Sequence, residues 1–565
     1  MREGRFGMAR RRILNMLLLF ACMAALLAGC NQKNVQFQDP LVERCVREIL
    51  GKSAEDPITA VECASIKELK IDCVKGTGLT FHHLKLVFER GNYLDLSDLK
   101  YLTGLTTLEI HNEPLYDQLF NVDAIANCKN LETLWLDFTP VASEYYIPWI
   151  YTVKDVEQVV AKLPNLKEFK MQAMLHEQFQ NWILEANGGK EITFTEENLV
   201  EDHFLYRNIL PDHGQGAYNI SEFDEIPKDI EDLLLICRAG DEVDFEIFRA
   251  FENLKTLTVY SNDATYGPKD DPLPEDGLAK IKNEDALQEN KGFYSLNLCG
   301  MTGDFSGIGR LTQLKELSIV MSRVANSTFI DRLSELRELT FRSNLSEDFS
   351  ENLKKAGKYL RWLHYLCVNP DDLSDGEWLS DLQSLDALQL GAVSSYLFGE
   401  KSDPTGRIVE ELKNCKKLKY FCAWGVRKEG SLDLTPLAEV PNLQYVYVTD
   451  VVAEIRGTSE LLEKKGMRSL VLRGKNMTND EDVKWMELGA ENESLGRILI
   501  DGMIISNYGY DNWVKMLGEE GARAFIKERE SAFKKCFANH LLCGGYDVLI
   551  CPGRSVEDVE SLINQ

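Results

Sequence analysis

The chain has 565 residues and a formal charge of −27 at pH 7, with 44% hydrophobic and 9% aromatic residues. Nucleic-acid binding needs clustered lysines and arginines for the phosphates, and no such run follows the basic N-terminus, so DNA and RNA are excluded as expected partners. The apolar content is too high for a disordered acidic tail, and the chain is therefore predicted to fold around a large core.

The first element in the chain is a basic stretch followed by 15 apolar residues, from Ile13 to Leu27. This run is shorter than the roughly 20 residues that span a hydrocarbon core. A basic stretch that is followed by an apolar run and then by small residues is typical of an export signal. The residues Leu27-Ala28-Gly29-Cys30 resemble a bacterial lipobox, and this resemblance implies cleavage before Cys30 and a diacylglyceryl group on its thiol.

Lipid attachment at Cys30 predicts an extracytoplasmic protein, anchored to the bacterial cell membrane through its N-terminus only. Residues 1–29 would be the signal peptide and residues 30–38 a tether. Removing the signal, which holds five arginines and one glutamate, takes the formal charge to −31. Two alternatives to lipid attachment remain. The segment could be an ordinary cleaved signal peptide, or a signal that stays uncleaved as an anchor.

A sequence repeat occupies the middle of the chain. Apolar residues recur at every third position, four times, and end in the pattern Leu-x-x-Leu-x-Leu. Neighbouring copies of that ending lie 22 residues apart at Leu314 and Leu336, which is a leucine-rich repeat period. Six segments carry the whole phrase: LSDLKYLTGLTTLEI, VDAIANCKNLETLWL, FEIFRAFENLKTLTV, FSGIGRLTQLKELSI, VEELKNCKKLKYFCA and LTPLAEVPNLQYVYV. Shorter matches begin at Ile66, Leu166, Leu336, Leu385, Met467 and Leu495.

Over residues 39–505 the chain resembles the extracellular, internalin-like leucine-rich repeat proteins of bacteria. The resemblance implies an α/β solenoid, a leucine-rich repeat arc with a parallel concave β-sheet, and adhesion or recognition as its role. One repeat cannot bury its own apolar face, so stacked repeats must share a core closed by caps. We predict a helical N-terminal cap at 39–65, irregular repeats at 66–505 and an α/β C-terminal cap at 506–565.

The alternation of side chains along a strand predicts which residues face the concave surface. Neighbouring strands lie about 4.8 Å apart, so Tyr420 should lie beside Tyr445, and Cys422 beside Tyr447. Exposed aromatic residues favour binding of a protein, peptide or glycan, and replacing them with alanine should then leave stability nearly unchanged. The alternatives are an ordinary scatter of surface aromatics or packing beneath an insertion or cap. The candidate partner-binding residues are Trp135, Tyr260, Tyr420, Trp424, Tyr445 and Tyr447.

The cysteines and histidines do not form a metal or catalytic motif. Cys63, Cys128 and Cys415 fall on apolar positions of the repeat and are predicted to be buried, unpaired thiols. One disulfide remains open among Cys536, Cys543 and Cys551. The motifs for a hydrolase elbow, a zinc protease or a phosphate-binding loop are missing from the sequence.

The sequence therefore predicts a binding protein without enzymatic activity, metal or cofactor. The alternative from another class is an envelope hydrolase or accessory subunit, with its site in the insertion at 173–229 or in the C-terminal tail. Additional repeat strands within that insertion would favour binding. A third reading is a structural spacer of the envelope.

Overall fold

A computed structural model describes most of the chain. The described residues are 34–72, 92–111, 117–136, 151–172, 177–197, 216–261, 263, 277–345, 348–369, 373, 376–391, 405–424, 431–451, 454–474, 482–500 and part of 518–543.

The N-terminal part begins with two helices, α1 (Pro40–Leu50) and α2 (Ala60–Ser65), and we call this segment the N-terminal cap. A five-stranded parallel sheet follows, in the order β1-β3-β5-β6-β7. Its strands are β1 (Glu68–Asp72), β3 (Thr107–His111), β5 (Thr133–Leu136), β6 (Glu168–Gln172) and β7 (Thr193–Glu197). Its remaining elements are the parallel pair β2 (Asn92–Asp95) and β4 (Asp117–Phe120), and the helices α3 (Val153–Val160) and α4 (Glu177–Ala186).

The rest of the chain forms a second parallel sheet, with thirteen strands on its main path. These are β8 (Gly216–Asn219), β9 (Asp232–Cys237), β11 (Thr256–Ser261), β13 (Ser295–Cys299), β15 (Glu316–Val324), β16 (Glu338–Leu345), β17 (Tyr365–Val368), β18 (Ala387–Gly391), β19 (Tyr420–Trp424), β21 (Tyr445–Val451), β23 (Ser469–Gly474), β24 (Arg497–Ile500) and β25 (Leu542–Cys543). Short side strands are β10 (Glu242–Asp244), β12 (Ala279–Lys282), β14 (Met301–Gly303), β20 (Ser431–Asp433) and β22 (Glu454–Arg456). Helices of this part are α5 (Phe349–Ala356), α6 (Thr405–Glu411), α7 (Thr458–Glu463) and α8 (Asp482–Glu491).

The leucine ladder predicted from the repeat is confirmed. Leu108 and Leu134 are register partners, and both are fully buried. Leu257 and Leu317 join the ladder of the second sheet through Leu296, and Val446 continues it, each at most 2% exposed. The fold is therefore a leucine-rich repeat arc in which parallel strands share an apolar interior, as the repeat period required.

The solenoid is divided into two units, and the expectation of one continuous interior is wrong in this respect. The first sheet ends at β7 and the second begins at β8, with no strand pairing between them among the described residues. One core runs from Phe37 to Ile192 and the other from Ile226 to Leu541. We call residues 34–197 the first solenoid and residues 216–543 the second solenoid.

Where an aspartate precedes a 3₁₀-helix, its side chain caps the start of that helix. Asp95 precedes the 3₁₀-helix Leu96–Tyr101, and its side chain accepts a hydrogen bond from the backbone N–H of Ser97. Such caps satisfy donors that a helix start leaves open. Gly104 marks a close approach, because a Cβ there would lie 2.0 Å from the carbonyl oxygen of Ala64 in the N-terminal cap. Close packing of cap and repeat thus depends on the missing side chain.

The three predicted core thiols are confirmed as buried and outside any disulfide. Cys63 and Cys128 are fully buried and Cys415 is 4% exposed. Burial raises the pKa of Cys63 to about 11 and of Cys128 and Cys415 to about 12. Cys536 is likewise a free, buried thiol, while the side chains of Cys543 and Cys551 lie outside the described residues. Cys63, Cys128 and Cys415 therefore fill apolar positions of the repeat and stay protonated at neutral pH.

The described part of the insertion at 173–229 consists of repeat elements. Helix α4 packs against α3, and strand β7 extends the first sheet beside β6. Strand β8 opens the second sheet beside β9. This segment therefore closes one solenoid and begins the next.

Candidate binding surfaces

The predicted register of the C-terminal aromatic residues is confirmed. Tyr420 lies opposite Tyr445, and Cys422 lies opposite Tyr447. The rings of Tyr420 and Tyr445 are stacked, with centroids 4.6 Å apart and planes 15° from parallel. Alternation along the strand thus places these side chains on the face opposite the leucine core, as the sequence indicates.

Their predicted exposure is wrong. Tyr420 is 3%, Tyr445 7%, Tyr447 8% and Tyr260 5% exposed. Trp424 ends β19 opposite Thr449, and its side chain lies outside the described residues. Tyr420 and Tyr445 are buried because residues 120–155 of the chain contact them, which is packing against another segment, as one alternative from the sequence proposed.

Burial extends along the central row of the concave face of the second solenoid. In register, one outward residue from each main-path strand from β9 to β24 forms a row, and every member of that row is below 9% exposed. The row consists of Leu234, Thr258, Asn297, Ser318, Thr340, Cys367, Gln389, Cys422, Tyr447, Val471 and Leu499. This face is closed to a partner in the structure.

The first solenoid supplies an aromatic contact to this closed face. Phe120, the last residue of β4, is fully buried, and its ring lies edge-on to that of Tyr420 at 4.4 Å and 78°. It also approaches the ring of Tyr365 at 6.4 Å. The next residue, Asn121, donates its backbone N–H to the Tyr420 hydroxyl at 2.9 Å. Phe120 and Asn121 thus cover this part of the concave face.

Polar contacts continue from this point to the C-terminal end of the second solenoid. The Tyr445 hydroxyl donates to Asp155 Oδ2 at 3.1 Å. Lys154 donates through Nζ to the carbonyl oxygens of Glu493 and Leu495, both at 2.9 Å. Farther along, His540 stacks on Trp182 with ring centroids 4.2 Å apart, and its Nδ1 lies 2.7 Å from Glu157 Oε1. The two solenoids therefore lie side by side and run in the same direction.

The N-terminal cap makes the matching contacts at the other end. Arg44 of α1 binds both carboxylate oxygens of Asp232 in β9, at 2.7 and 3.0 Å. Glu43 Oε2 lies 2.5 Å from Lys315 Nζ and 3.5 Å from Arg337 Nη1. Burial alone would raise the pKa of Glu43, but Lys315 and Arg337 outweigh it and lower that pKa to about 2. We call this set of contacts, from Arg44 to His540, the seam.

One cleft, with a volume of about 470 Å³, lies along the seam beside α1. Most of its cationic side chains have acidic partners, while Lys291 Nζ donates to the carbonyl oxygen of Gln288 at 3.4 Å. Lys255 Nζ lies 3.1 Å from Glu48 and 2.9 Å from Glu231, while Lys315 binds Glu43. Because these charges are neutralised in place, the cleft belongs to the junction between the solenoids and does not present a separate anion site.

A buried carboxylate cluster lies behind α1. Asp98 is fully buried, and its Oδ2 accepts the backbone N–H groups of Gln38 and Asp39 at 2.7 and 2.9 Å. Burial, reinforced by the charge of Asp95, raises the pKa of Asp98 to about 7. Asp98 therefore holds a proton in the folded protein at a pH where it would be ionised in the unfolded chain.

This shift predicts a pH-dependent stability. The pKa of Asp98 is higher in the folded protein than in the unfolded chain. Its stabilising contribution to the free energy of unfolding is therefore fully present below about pH 4 and is lost as the pH rises toward about 7. Asp98→Asn keeps an acceptor for both N–H groups and cannot ionise, so it should be more stable than wild type at pH 8, by up to about 4 kcal/mol. Urea unfolding at pH 4.5 and 8 measures the difference, which should shrink at the lower pH. Parallel pH profiles for the two proteins would contradict the assignment.

Among the described residues, the concave face of the first solenoid is more exposed than that of the second, and we call it the open face. Its central row runs Lys70, Glu109, Trp135, Lys170, Thr195 across the five strands. The side chains of Lys70, Glu109 and Lys170 are 63%, 28% and 23% exposed. Trp135 is partly exposed, and Lys170 Nζ lies 5.0 Å from its ring centroid. Of the predicted partner-binding aromatics, Trp135 is the one that the described structure leaves accessible.

No family model matches the chain, and no curated protein matches it. Among solved structures, an internalin (InlF) from Listeria monocytogenes is similar at 16% identity, over 78% of this chain and 96% of that one, with a TM-score of 0.31. A leucine-rich repeat protein of Leptospira interrogans is similar at 14% identity, over 75% of this chain and 95% of that one, with a TM-score of 0.29. The plant peptide hormone receptor RGFR1, solved in complex with RGF2, is similar at 11% identity, over 74% of this chain and 61% of that one, with a TM-score of 0.29.

The proposed lipid site, Cys30, lies outside the described residues. The same holds for His82, His83, His203 and His213, histidines that form no metal or catalytic motif in the sequence. Within the described part of the chain, no helix is long and apolar enough to cross a membrane, and no group of acidic, histidine or cysteine side chains is arranged to hold a metal ion.

Proposed function

We propose that this chain is a non-enzymatic recognition protein, held on the extracytoplasmic side of a bacterial cell membrane by a lipid on Cys30. Its partner is a protein, bound on the open concave face of the first solenoid. The observation that supports this assignment is the contrast between the two sheets. The second solenoid buries its outward residues, while the first keeps Trp135 and its charged neighbours accessible.

The chemistry of the open face suits protein recognition. Trp135 lies between Glu109 and Lys170 in the central row, so an apolar ring is flanked by a carboxylate and an ammonium group. The Glu168 carboxylate, in the neighbouring row, accepts hydrogen bonds from the Thr133 and Thr195 hydroxyls at 3.5 and 3.3 Å. Tryptophan on a rigid sheet offers a large contact area at low entropic cost, which is typical of the anchors that dominate binding energy.

The content of the insertion at 173–229 supports binding over the hydrolase alternative. Its described residues build α4, β7 and β8, which are elements of the two solenoids. The spacer alternative predicts no accessible aromatic side chain on a concave face, whereas Trp135 lies on one. Both observations favour recognition.

The lipid anchor would place the N-terminal cap at the membrane surface. Cys30 precedes Asn34 by four residues, and four extended residues span at most about 14 Å. Asn34 forms a β-bridge with Thr59, the residue that caps α2. In cells fed a labelled fatty acid, the wild-type protein should carry the label and Cys30→Ser should not, because the serine hydroxyl is no substrate for the thiol modification.

Trp135→Ala should weaken partner binding without unfolding the protein. The ring is partly exposed, so its loss should change the free energy of unfolding by no more than about 1 kcal/mol. Loss of a central anchor should weaken binding about tenfold or more. The mature wild-type chain, Trp135→Ala and the control Tyr359→Ala are used to capture proteins from the surroundings of the organism, and each captured protein is then titrated against all three.

Tyr359 is a suitable control because it is an aromatic residue, 56% exposed, in the second solenoid. A protein that binds wild type and Tyr359→Ala equally, and Trp135→Ala at least tenfold more weakly, supports the proposal. Equal binding to all three variants contradicts it. Capture that survives protease treatment of the captured material, but is lost after glycosidase treatment, would identify a glycan in place of a protein.

A further inference from the structure

The seam joins two units that each possess a complete core. The first solenoid buries its own ladder from Phe37 to Ile192, and the second buries its own from Ile226 to Leu541. Each core is covered by helical or 3₁₀ elements of the same unit. Units with separate cores and a polar junction move relative to one another by default. The seam can therefore open without exposing either leucine ladder.

The described contacts of the seam are mostly charged or polar. Arg44 binds Asp232, Glu43 binds Lys315 and Arg337, and Arg468 lies 3.6 Å from Asp155. The aromatic cluster around Tyr420 is small and is separate from both cores. Phe120 is the described residue of the first solenoid that belongs to it. An arrangement of one buried aromatic anchor with charged contacts around it is typical of a binding interface.

Phe120 and Asn121 contact the second solenoid through one aromatic ring and adjacent hydrogen bonds, as a short ligand segment contacts a receptor. Asn121 has a left-handed backbone, with φ of 55°, which turns the chain directly after Phe120. This turn presents the Phe120 ring and the Asn121 N–H together to the tyrosine pair. Lys419 Nζ also donates to Asn121 Oδ1, so two adjacent residues of the second solenoid bind this one asparagine.

We propose that the first solenoid is a reversible intramolecular ligand of the second, so that the aromatic concave surface around Tyr420 and Tyr445 is a second protein-recognition surface held closed by the chain itself. A protein that displaces the first solenoid would present an aromatic ring followed by a backbone N–H, the groups now supplied by Phe120 and Asn121. This surface is distinct from the open face around Trp135.

The test uses the whole mature chain with a protease site inserted between residues 197 and 216. After cleavage the two parts should remain associated in 0.1 M NaCl and separate in 1 M NaCl, because the Debye length falls from about 10 Å to about 3 Å. Sedimentation measures association, and circular dichroism confirms that both parts stay folded. The dissociation constant should rise at least tenfold over this range.

Two variants test the assigned contacts. Phe120→Ala should weaken reassociation of the cleaved parts about tenfold or more, as expected for a central anchor. Arg44→Gln should shift separation to lower salt. The control is Lys167→Gln, which removes an exposed ion pair with Glu132 inside the first solenoid and should change nothing.

The outcomes are decisive in both directions. Parts that stay together in 1 M NaCl, or separate only when they unfold, would show a permanent junction and overturn the proposal, even if Phe120→Ala failed to fold. Reassociation unaffected by Phe120→Ala would also overturn it. Neither result concerns Trp135, so the function proposed for the open face is tested independently.

Discussion

Leu388→Ala should lower the free energy of unfolding by about 2–5 kcal/mol, because it leaves a cavity in a close-packed ladder. Leu388 is fully buried and lies in register between Leu366 and Phe421, so the removed methyl groups face neighbouring strands on both sides. Chemical denaturation followed by circular dichroism measures the loss. Tyr359→Ala, at a side chain 56% exposed, provides the control and should cost less than about 1 kcal/mol.

The size of this loss tests the fold directly. Each repeat is stable only through its neighbours, so damage in a central repeat weakens the stack on both sides. An effect no larger than that of Tyr359→Ala would mean that Leu388 does not belong to a continuous core. Leu388→Met, which nearly conserves volume, should restore most of the stability.

Tyr420→Ala should cost about 3–5 kcal/mol, the amount typical for loss of a buried aromatic ring. The ring is 3% exposed, stacks on Tyr445 and meets Phe120 edge-on. Its hydroxyl also accepts the backbone N–H of Asn121. This expectation reverses the one from sequence, under which an outward tyrosine would be replaced at almost no cost.

Tyr420→Phe separates the two contributions. It keeps the stacked ring but leaves the Asn121 N–H without its acceptor, and an unsatisfied buried donor costs about 1–3 kcal/mol. Denaturation curves for Tyr420→Ala, Tyr420→Phe and wild type should therefore be ordered, with alanine the least stable. A Tyr420→Ala variant within 1 kcal/mol of wild type would show that the concave face is open in solution.

The repeat and its register could be predicted from the sequence because they are local properties. Alternation along a strand and the Leu-x-x-Leu-x-Leu ending placed Leu108 opposite Leu134 and Tyr420 opposite Tyr445. The leucine side chains must point inward for any repeat to bury its apolar face. The identity of the core residues therefore needs no knowledge of the rest of the chain.

The closed face could not be predicted in the same way, because it depends on contacts between distant parts of the chain. Phe120 lies 300 residues before Tyr420 in the sequence, and nothing in either repeat specifies the other. One signal was nevertheless present. The outward row of the second solenoid contains Val471 and Leu499, whereas that of the first contains Lys70 and Lys170. Apolar residues on both faces of a parallel strand indicate that both faces are covered.

The long sequence separation across the seam has a consequence for the order of folding. Arg44 and Asp232, which form an ion pair, are 188 residues apart in the sequence, and Glu157 and His540 are 383 residues apart. Repeat units can fold one after another from the N-terminus, but the last docking contact forms only when the repeats around residue 540 are in place. The stacking of His540 on Trp182 is therefore among the last contacts of the seam to form, after both leucine ladders are complete.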